Sequence, residues 1–587
     1  MIRNLSLLLL LVLVIGSCVP EKTKEFHAPE WAEGVVWYQI FPERFRDGDP
    51  TNQPNRERAR GPEGWEITSW TQDWYKRDAW EVNHSDDFYS IVRERRYGGD
   101  LQGVIDKLDY LHELGVGVIY FNPVFDAQSM HKYDASYYHH IDRNFGPDPE
   151  GDVQQILSED PGNPETWGWT EGDKLFLQLI NEAHKRGMKI VIDGVFNHTG
   201  TEFWAFQDLI KNQENSPYKD WYIVTSYDDP NTPENEFDYE GWWGFKGLPV
   251  YREENENLTD PVKQHIFEVT KRWMDPNGDG DPSDGVDGWR LDVASEVGKN
   301  FWRDWHAYVR SINSEAITVA EIWTDEAKEF ITADMFTSVM NYRFTDAVKL
   351  FMIDQAISEE AFRDRLVQIE SDYPEASLDV LQNLMDSHDT SRLATSVVNK
   401  GQAYNPDAYP NEDYEVRKPN SRERSIQKLA ALFQYTWKGA PMIYYGTESG
   451  MWGADDPDDR KPMVWPDLVY EDETYHPYGW ERPVDSNNFD EALFGYYKKL
   501  GEIRNISEAL KRGSARFTVL EKEFISFERV LDSEPTVIVS INWSDSVKSI
   551  SLPACPATDL LSGDEIQQEQ ISVSSLSAMI IQLNCRG

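Results

Sequence analysis

The chain has 587 residues, and its 103 acidic and 57 basic side chains give a formal net charge of −46. This length suits about two to four domains with a large core, and the negative charge argues against nucleic acid and anionic membrane surfaces as partners. The 22 Trp and 28 Tyr residues accompany abundant carboxylates, a composition found at sugar-binding surfaces but also in any large aromatic core.

The first 18 residues have the pattern of an export signal. Arg3 precedes an apolar run from Leu5 to Ile15, which is too short to span a bilayer comfortably. The end of this run, Ile15-Gly16-Ser17-Cys18, resembles a bacterial lipobox. We therefore predict a lipoprotein signal at 1–18, lipidation of Cys18, and a cell-envelope protein that meets the membrane through this anchor alone. The alternative is a secretory signal that is discarded together with Cys18, which would leave a secreted protein.

Residues 19–33 are polar and predict a tether, and residues 34–510 alternate short apolar segments with helical patterns. Because parallel strands need crossover helices and closure removes sheet edges, the alternation predicts an α/β fold, a (β/α)8 barrel. Its length requires insertions, and we assign 197–260, after the third strand, to an inserted domain. The eight predicted strands are Val35–Phe41, Val116–Phe121, Lys189–Phe196, Val286–Val293, Ile317–Ile322, Phe336–Phe344, Val380–Asp386 and Met442–Tyr445.

Beyond residue 510 the helical signal stops. Alternating and β-branched segments separated by turn residues predict a C-terminal all-β sandwich over 511–587. Cys555 and Cys585 lie in this part. In an exported protein they would either form a disulfide or remain two buried thiols, and the sequence leaves both possibilities open.

The fourth predicted strand carries Arg290 and Asp292 two residues apart. Residues i and i+2 of a strand point to the same face, so the two side chains should project together. Beside a guanidinium, Asp292 is expected to have a lowered pKa and to stay ionised, as a carboxylate nucleophile must. An isolated pair of this kind is more often structural.

Polar groups at the ends of neighbouring strands change that balance, because functional groups of such barrels gather at the C-terminal ends of the strands. Four ends carry them, those of the third, fourth, fifth and seventh predicted strands. The segments are Asp193-Gly194-Val195-Phe196-Asn197-His198, Gly288-Trp289-Arg290-Leu291-Asp292, Ala320-Glu321-Ile322-Trp323 and Asn383-Leu384-Met385-Asp386-Ser387-His388-Asp389.

These four segments, in this order, resemble the α-amylase family of glycoside hydrolases, family 13. The resemblance implies a retaining mechanism on α-linked glucans. Asp292 would be the nucleophile, Glu321 the acid/base with a raised pKa, and Asp389 the residue that supports the transition state. The side chains that the resemblance assigns to substrate binding are Tyr133, Asp193, His198, Arg290, His388 and Arg392, although Arg392 is also expected to pair with a neighbouring carboxylate.

Calcium is the cofactor that the resemblance suggests, in a structural role, and no organic cofactor is expected. The segments Asp47–Asn52 and Tyr97–Asp100 resemble a calcium site found in relatives, with Gln53 at a position where many relatives have Asn. Its ligands would be Asp47, Asp49, Asn52, Asp100 and the Gly98 carbonyl. A second acidic run, Asp275–Asp284, matches the start of an EF-hand loop, but Val286 stands at the position of the bidentate Glu. Its ligands would be Asp275, Asn277, Asp279 and Asp281, and a solvated acidic turn is an equal alternative.

Within the family, Glu240–Phe245, Val293–Val297 and the Lys132-Tyr133 pair look most like neopullulanases and cyclomaltodextrinases. The expected substrates are α-1,4-linked glucans, maltooligosaccharides, pullulan or cyclodextrins. A plain α-amylase and an α-glucosidase are the alternatives within the hydrolases. A transglycosylase and a non-catalytic glycan-binding protein are the alternatives of other classes, and the presence of all three acids argues against the last. The sequence makes no prediction of the oligomeric state.

Overall fold

The protein is described by a computed structural model over residues 25–403 and 414–584. The predicted signal, Cys18 and Cys585 therefore lie outside the described residues. Eight parallel strands form the central sheet, as predicted from the alternation of apolar segments. They are β1 Trp37–Ile40, β2 Val118–Phe121, β3 Lys189–Gly194, β4 Gly288–Leu291, β5 Ile317–Ala320, β6 Ser338–Val339, β7 Gln382–Leu384 and β8 Ala440–Tyr444.

The sheet closes on itself. Strands β1 to β6 pair in sequence, and β1 also pairs with β8, which pairs with β7. A parallel bridge between Met340 and Gln382 joins the two ends of this order. All but one of the strand residues are buried, because helices cover the outside and side chains fill the inside. The predicted (β/α)8 barrel is confirmed.

Helices cover the outer face of the barrel. The first crossover is a pair of short helices, because the backbone at Lys107 leaves the helical region (φ −109°, ψ 6°) within the run expected to form one helix. The main helices are Leu101–Asp106, Leu108–Glu113, Glu171–Lys185, Asp260–Met274, Lys299–Ile312, Tyr342–Val348, Glu359–Asp372, Ser421–Thr436 and Glu491–Ile506.

The sixth strand is much shorter than expected. The apolar run Phe336–Phe344 supplies a strand of two residues, and Tyr342 already begins a helix. The side chain of Asn341 caps that helix by accepting a hydrogen bond from the backbone N–H of Phe344. An apolar run of this length fits a buried strand and a buried helix equally well, so the cap decides where the strand ends.

Residues 197–260 leave the barrel after β3 and return at the helix Asp260–Met274. They contain the helix Trp204–Asn212 and two small hairpins, of which the second, Gly241–Trp242 with Phe245–Pro249, borders the candidate site. The tight connection at Trp243-Gly244 uses positive φ at both residues, 47° and 83°. This turn leaves the Trp243 side chain 82% exposed.

The C-terminal part is all β. A six-stranded antiparallel sheet faces a two-stranded one, and Ile538 and Ile581 of the first share a core with Ile550 and Val573 of the second, which makes the unit a sandwich. Its strands are β9 Ser514–Glu521, β10 Phe524–Val530, β11 Val537–Asn542, β12 Lys548–Ser551, β13 Ala557–Asp559, β14 Glu565–Ile566, β15 Gln570–Val573 and β16 Ser577–Leu583.

Two further observations concern the predictions for the ends of the chain. Cys555 is disulfide-bonded, and the other two cysteines lie outside the described residues. Over residues 25–403 and 414–584, every helix is too short or too polar to cross a bilayer.

Candidate active site

The C-terminal ends of the barrel strands surround a cavity of about 920 Å³. The backbone ladder continues one residue past two strands, since the N–H of Asp292 donates to Gly194 (3.1 Å) and the N–H of Glu321 donates to Leu291 (3.0 Å). Asp292 and Glu321 therefore sit at adjacent strand ends, and both line the cavity together with Asp389. The three acids expected to act together are brought to one cavity.

Arg290 contacts three acids, Asp193, Asp292 and Glu321. Its Nη1 lies 3.0 Å from Asp292 Oδ1 and 2.9 Å from both oxygens of Asp193, and its Nη2 lies 3.0 Å from Glu321 Oε2. Arg290 and Asp193 stand opposite each other in the parallel register of β4 and β3. One fully buried guanidinium thus holds three carboxyl groups.

The expected direction of the Asp292 pKa is wrong. Burial raises the pKa of Asp292 well above its usual range; the Arg290 charge opposes this, while Glu321 and Asp193 add to it. The sequence shows the pair of Arg290 with Asp292, but it does not show that Asp193 and Glu321 share the same positive charge. A cluster of three carboxyl groups and one guanidinium favours retention of a proton.

Backbone and indole donors orient Glu321. The N–H of Val293 donates to Glu321 Oε2 (2.8 Å), and the indole of Trp323 donates to Oε1 (2.9 Å). Val293 adopts a left-handed conformation, with φ 39° and ψ 47°, which is a genuine outlier for a β-branched residue. Strain of this kind persists where the surroundings impose it, and here it turns a backbone donor toward an acid.

Arg460 holds Asp389 and is a residue that the sequence analysis missed. Its Nη2 donates to Asp389 Oδ1 (3.0 Å), and its Nε donates to the His388 carbonyl (2.7 Å). Burial raises the pKa of Asp389 to about 7, against the opposing charge of Arg460. Arg460 follows β8 and lines the cavity. The sequence offered a signal for a functional residue in this segment, because the end of the eighth strand belongs to the same barrel face as the other motifs.

The residues predicted to bind substrate separate into two groups. Tyr133 and His198 line the cavity, whereas Asp193, Arg290 and His388 lie behind its surface. The hydroxyl of Tyr133 lies 3.1 Å from Asp193 Oδ2 and 2.5 Å from His388 Nε2, and its ring stacks on that of His388 at 5.5 Å. The residues behind the surface therefore fix the position of the tyrosine that faces the cavity.

One ring nitrogen of His198 is available to bind a ligand. Its Nε2 is buried and has no hydrogen-bond partner among the described residues, and its ring stacks on Trp242 at 5.6 Å. Burial lowers the pKa of His198 to about 3, so the imidazole is neutral at physiological pH. The hairpin residues Trp242, Trp243 and Phe245 extend the aromatic wall on this side of the cavity, and the sequence analysis had not assigned them to the site.

Arg392 does not reach the cavity, so its place among the substrate-binding residues is a misassignment. It is fully buried and donates to the backbone carbonyls of Asp459 (2.9 Å) and Tyr445 (2.7 Å). These bonds tie the segment after β7 to the segment after β8. The expected pairing with a carboxylate is replaced by bonds to carbonyl groups.

The first predicted calcium ligands lie together. Asp100 accepts from the N–H groups of Gly48 and Asp49 and from the amide of Asn52. Asp47 Oδ1 and Asn52 Oδ1 are buried acceptors with no partner among the described residues, and Gln53 donates to the other Asp47 oxygen (2.6 Å). Burial raises the pKa of Asp100 to about 6. Buried oxygens without donors are the arrangement that a hard cation satisfies, so Asp47 and Asn52 fit calcium, whereas each oxygen of Asp100 already accepts two hydrogen bonds.

The second run forms a loop between the helix Asp260–Met274 and β4. Its turn is stabilised by the N–H of Gly280, which donates to Asp275 Oδ2 (3.2 Å). The other oxygen of Asp275 and Oδ1 of Asp284 are buried without partners among the described residues. Burial, and then the charges of Asp275, Asp279 and Asp281, raise the pKa of Asp284. Asp284 had not been assigned as a ligand.

Paired carboxyl groups held by a guanidinium at the mouth of a (β/α)8 barrel define an enzyme site built for acid–base chemistry. A family model for the catalytic domain of alpha amylase matches residues 39–160 and 166–513. Neopullulanase 2 of Thermoactinomyces vulgaris is 35% identical over 558 residues, which cover 94% of this chain and 77% of that protein. The cyclomaltodextrinase of Geobacillus thermopakistaniensis is 33% identical over 531 residues, 90% of this chain and 72% of that one.

Solved structures agree. The ligand-free cyclic alpha-maltosyl-(1→6)-maltose hydrolase of Arthrobacter globiformis superposes with a TM-score of 0.68 at 25% identity, covering 94% of this chain and 99% of that one. The chain belongs to the α-amylase family. It is a glycoside hydrolase of the neopullulanase and cyclomaltodextrinase type, as the motifs indicated.

The relatives contradict the predicted localisation. One of them, 32% identical over 530 residues that cover 90% of this chain and 71% of that protein, is the intracellular maltogenic amylase of Bacillus subtilis. The name of this relative places it inside the cell, which contradicts the prediction of an exported cell-envelope lipoprotein. The prediction rested on residues 1–18, which lie outside the described residues, and a short apolar segment followed by Cys is a weak signal by itself.

Proposed function

We propose that this enzyme hydrolyses α-glucosidic bonds, mainly α-1,4, in starch-type glucans, maltooligosaccharides, pullulan or cyclodextrins, with retention of configuration. The observation that supports this most is the position of Arg290, whose two terminal nitrogens each lie 3.0 Å from one of two cavity-lining acids, Asp292 and Glu321. A retaining glycosidase needs two carboxyl groups about 5 Å apart, and a shared guanidinium keeps these two acids close to each other.

The proposed reaction has two displacements. Asp292 attacks the anomeric carbon and forms a glycosyl-enzyme bond while Glu321 gives its proton to the leaving glycosidic oxygen. Glu321 then takes a proton from water, which attacks the same carbon and releases Asp292. This sequence requires one ionised and one protonated acid at the start. A cluster of three carboxyl groups around one guanidinium favours retention of one proton, which the proposal places on Glu321, with Asp292 ionised.

The remaining cavity groups would bind the reacting sugar. Asp389 accepts hydrogen bonds from its hydroxyls, Tyr133 offers a ring face, and His198 offers a neutral imidazole whose Nε2 has no protein partner among the described residues. Arg460 is a positioning residue, since it holds Asp389 and carries its charge close to the acid.

The substrate preference is proposed from the relatives. The names neopullulanase and cyclomaltodextrinase favour pullulan and cyclodextrins over starch alone. Product analysis of the purified enzyme on starch, pullulan, cyclodextrin and maltotriose tests this, with panose from pullulan as the expected product. Activity on starch alone would assign a plain α-amylase, and release of single glucose units from chain ends an α-glucosidase. Longer products from maltotriose would assign a transglycosylase, and binding without turnover a glycan-binding protein.

We also propose that calcium binds at both acidic sites in a structural role. At the first site the ligands would be Asp47, Asp49, Asn52, Asp100 and the Gly98 carbonyl. At the second they would be Asp275, Asn277, Asp279, Asp281 and Asp284. Unpartnered buried oxygens support both assignments. The second loop precedes β4 and lies at the end of the barrel opposite the acids, where an ion stabilises the fold and takes no part in the reaction.

A further inference from the structure

Three aromatic rings form an exposed cluster on the long segment after β8. The ring of Trp480 stacks on His476 with centroids 4.8 Å apart, and Tyr478 lies 5.1 Å from Trp480. Tyr478 is 38% exposed and Trp480 is 43% exposed. We call His476, Tyr478 and Trp480 the platform. None of the three lines the catalytic cavity.

A tight turn holds the platform rings in place. Gly479 lies between the two exposed aromatic residues with φ 71°, and its N–H donates to the His476 carbonyl (2.9 Å). The N–H of Tyr478 lies 3.2 Å from the His476 Nδ1. A side chain at position 479 would be strained at this φ, so glycine allows the chain to fold the neighbouring rings around the imidazole. The rings are therefore arranged before any ligand arrives.

Buried ion pairs fix the base of the platform. Arg482 lies 2.6 Å from Asp485 and 3.2 Å from Glu473, and Glu473 also pairs with Lys461 at 2.6 Å. Glu473 is 1% exposed, so little solvent weakens these contacts. Lys461 directly follows Arg460, which holds Asp389. The platform is thus connected by short, rigid contacts to the candidate active site.

A short series of contacts links the platform to the lining of the cavity. The Tyr478 ring lies 6.0 Å from Tyr89, in the short helix Phe88–Ile91. The next turn carries Arg93, which reaches Asp456 at 3.4 Å, and both of these residues line the cavity. A polymer that leaves the cavity past Arg93 and Asp456 would run toward the platform.

We propose that the platform binds a length of neutral α-glucan chain that extends beyond the catalytic cavity, which makes the enzyme favour polymers over short oligosaccharides. This proposal rests on the proposed glucan hydrolase function. Sugar rings stack on exposed aromatic faces with their C–H groups, and stacked, pre-arranged rings lose little entropy on binding. Charge favours the same ligand: an uncharged polymer meets no repulsion from a chain of net charge −46, whereas a second copy of the chain would.

The test compares Trp480→Ala with Tyr475→Ala. Tyr475 lies on the same segment, is 52% exposed and stands outside the stacked rings, so its variant is the matched control. We expect Trp480→Ala to raise KM on soluble starch by about tenfold, with kcat on starch and kcat/KM on maltotriose unchanged. Direct binding is measured by gel retardation in soluble starch with Asp292→Asn, alone and combined with Trp480→Ala. The combined variant should be retarded less.

The outcomes separate the two proposals. Equal losses on starch and maltotriose, unchanged KM on starch, or the same effect from Tyr475→Ala would overturn the platform while leaving the hydrolase intact. Absence of activity on every α-glucan would overturn the proposed function, and the retardation experiment would still test the platform by itself. A change in sedimentation coefficient for Trp480→Ala, with starch binding unaltered, would assign the rings to self-association and overturn the proposal.

Discussion

Two groups of acids flank the same barrel strand, and their difference separates chemistry from stability. At the C-terminal end of β4, Asp292 and its neighbours share Arg290, and at the same face of the barrel Asp389, after β7, pairs with Arg460. Before β4, the aspartates of the 275–284 loop have no ion pair with a described Lys or Arg side chain, and two of their oxygens are buried without donors. Acids that keep a built-in cation are ready to exchange protons, whereas acids without one need an external ion.

The largest effect should come from the acids at the C-terminal end of β4. We expect Asp292→Asn to lower kcat on maltotriose by about 10⁴-fold, because an amide cannot form the glycosyl-enzyme bond. Thermal stability should rise slightly, since burial raises the pKa of Asp292 and makes its charged form unfavourable in the folded state. Steady-state kinetics and a thermal melt measure both quantities. Asp109→Asn, on the barrel surface, is the charge-matched control. Turnover near the wild-type rate would refute the nucleophile assignment.

A second change tests Arg460, the cation beside Asp389. Arg460→Gln removes the charge that opposes the raised pKa of Asp389, about 7 in the intact site. The pKa should rise further, so the ionised form should appear at higher pH. We expect the acid limb of the kcat/KM profile on maltotriose to move upward by about one pH unit. Arg460→Lys keeps the charge and should move it less. An acid limb at the wild-type pH in the Gln variant would contradict a role for Asp389 in this limb.

The smallest effects should come from the acidic 275–284 loop before β4. Chelation is expected to lower the melting temperature by a few degrees, on the order of 5 °C, and calcium should restore it. In chelator, Asp284→Asn should be slightly more stable than wild type. Its pKa is raised in the folded state, so charged Asp284 is unfavourable there, and the wild type should gain stability as pH falls through that pKa.

Calcium should stabilise Asp284→Asn less than it stabilises wild type, and Asp47→Asn isolates the contribution of the other site. Differential scanning fluorimetry, with and without chelator, measures all three proteins. An identical calcium response in wild type and both variants would remove both sites from the proposal.

The sequence predicted the parts of the molecule that follow from local pattern. Buried parallel strands are apolar runs between helices, and their ends mark one face of the barrel, so Asp292, Glu321 and Asp389 were assignable from their positions after β4, β5 and β7. The β6 strand was overestimated, because Asn341 caps a helix within an apolar run that suits either structure. Arg460 was missed because it lies in the irregular segment after β8 and not at the strand end itself, where the other motifs stand.

The sign of the Asp292 pKa shift was beyond reach for a different reason. It depends first on how deeply Asp292 is buried and then on how many acids share one guanidinium, and Asp193, Asp292 and Glu321 come from three strands. Charge counting of this kind needs the three-dimensional arrangement. The same applies to Val293, whose left-handed backbone has no signature in the residue type, since a β-branched residue is the least expected one there.

The short sixth strand leaves the cylinder with a seam. Among the described residues, β6 and β7 are joined by the bridge between Met340 and Gln382, whereas their other neighbours pair over two or three residues. Glu321 stands on one side of this seam and Asp389 on the other. Local opening there would change the distance between the proton donor and the residue that grips the sugar, without disturbing the arginine clamp between β3 and β5.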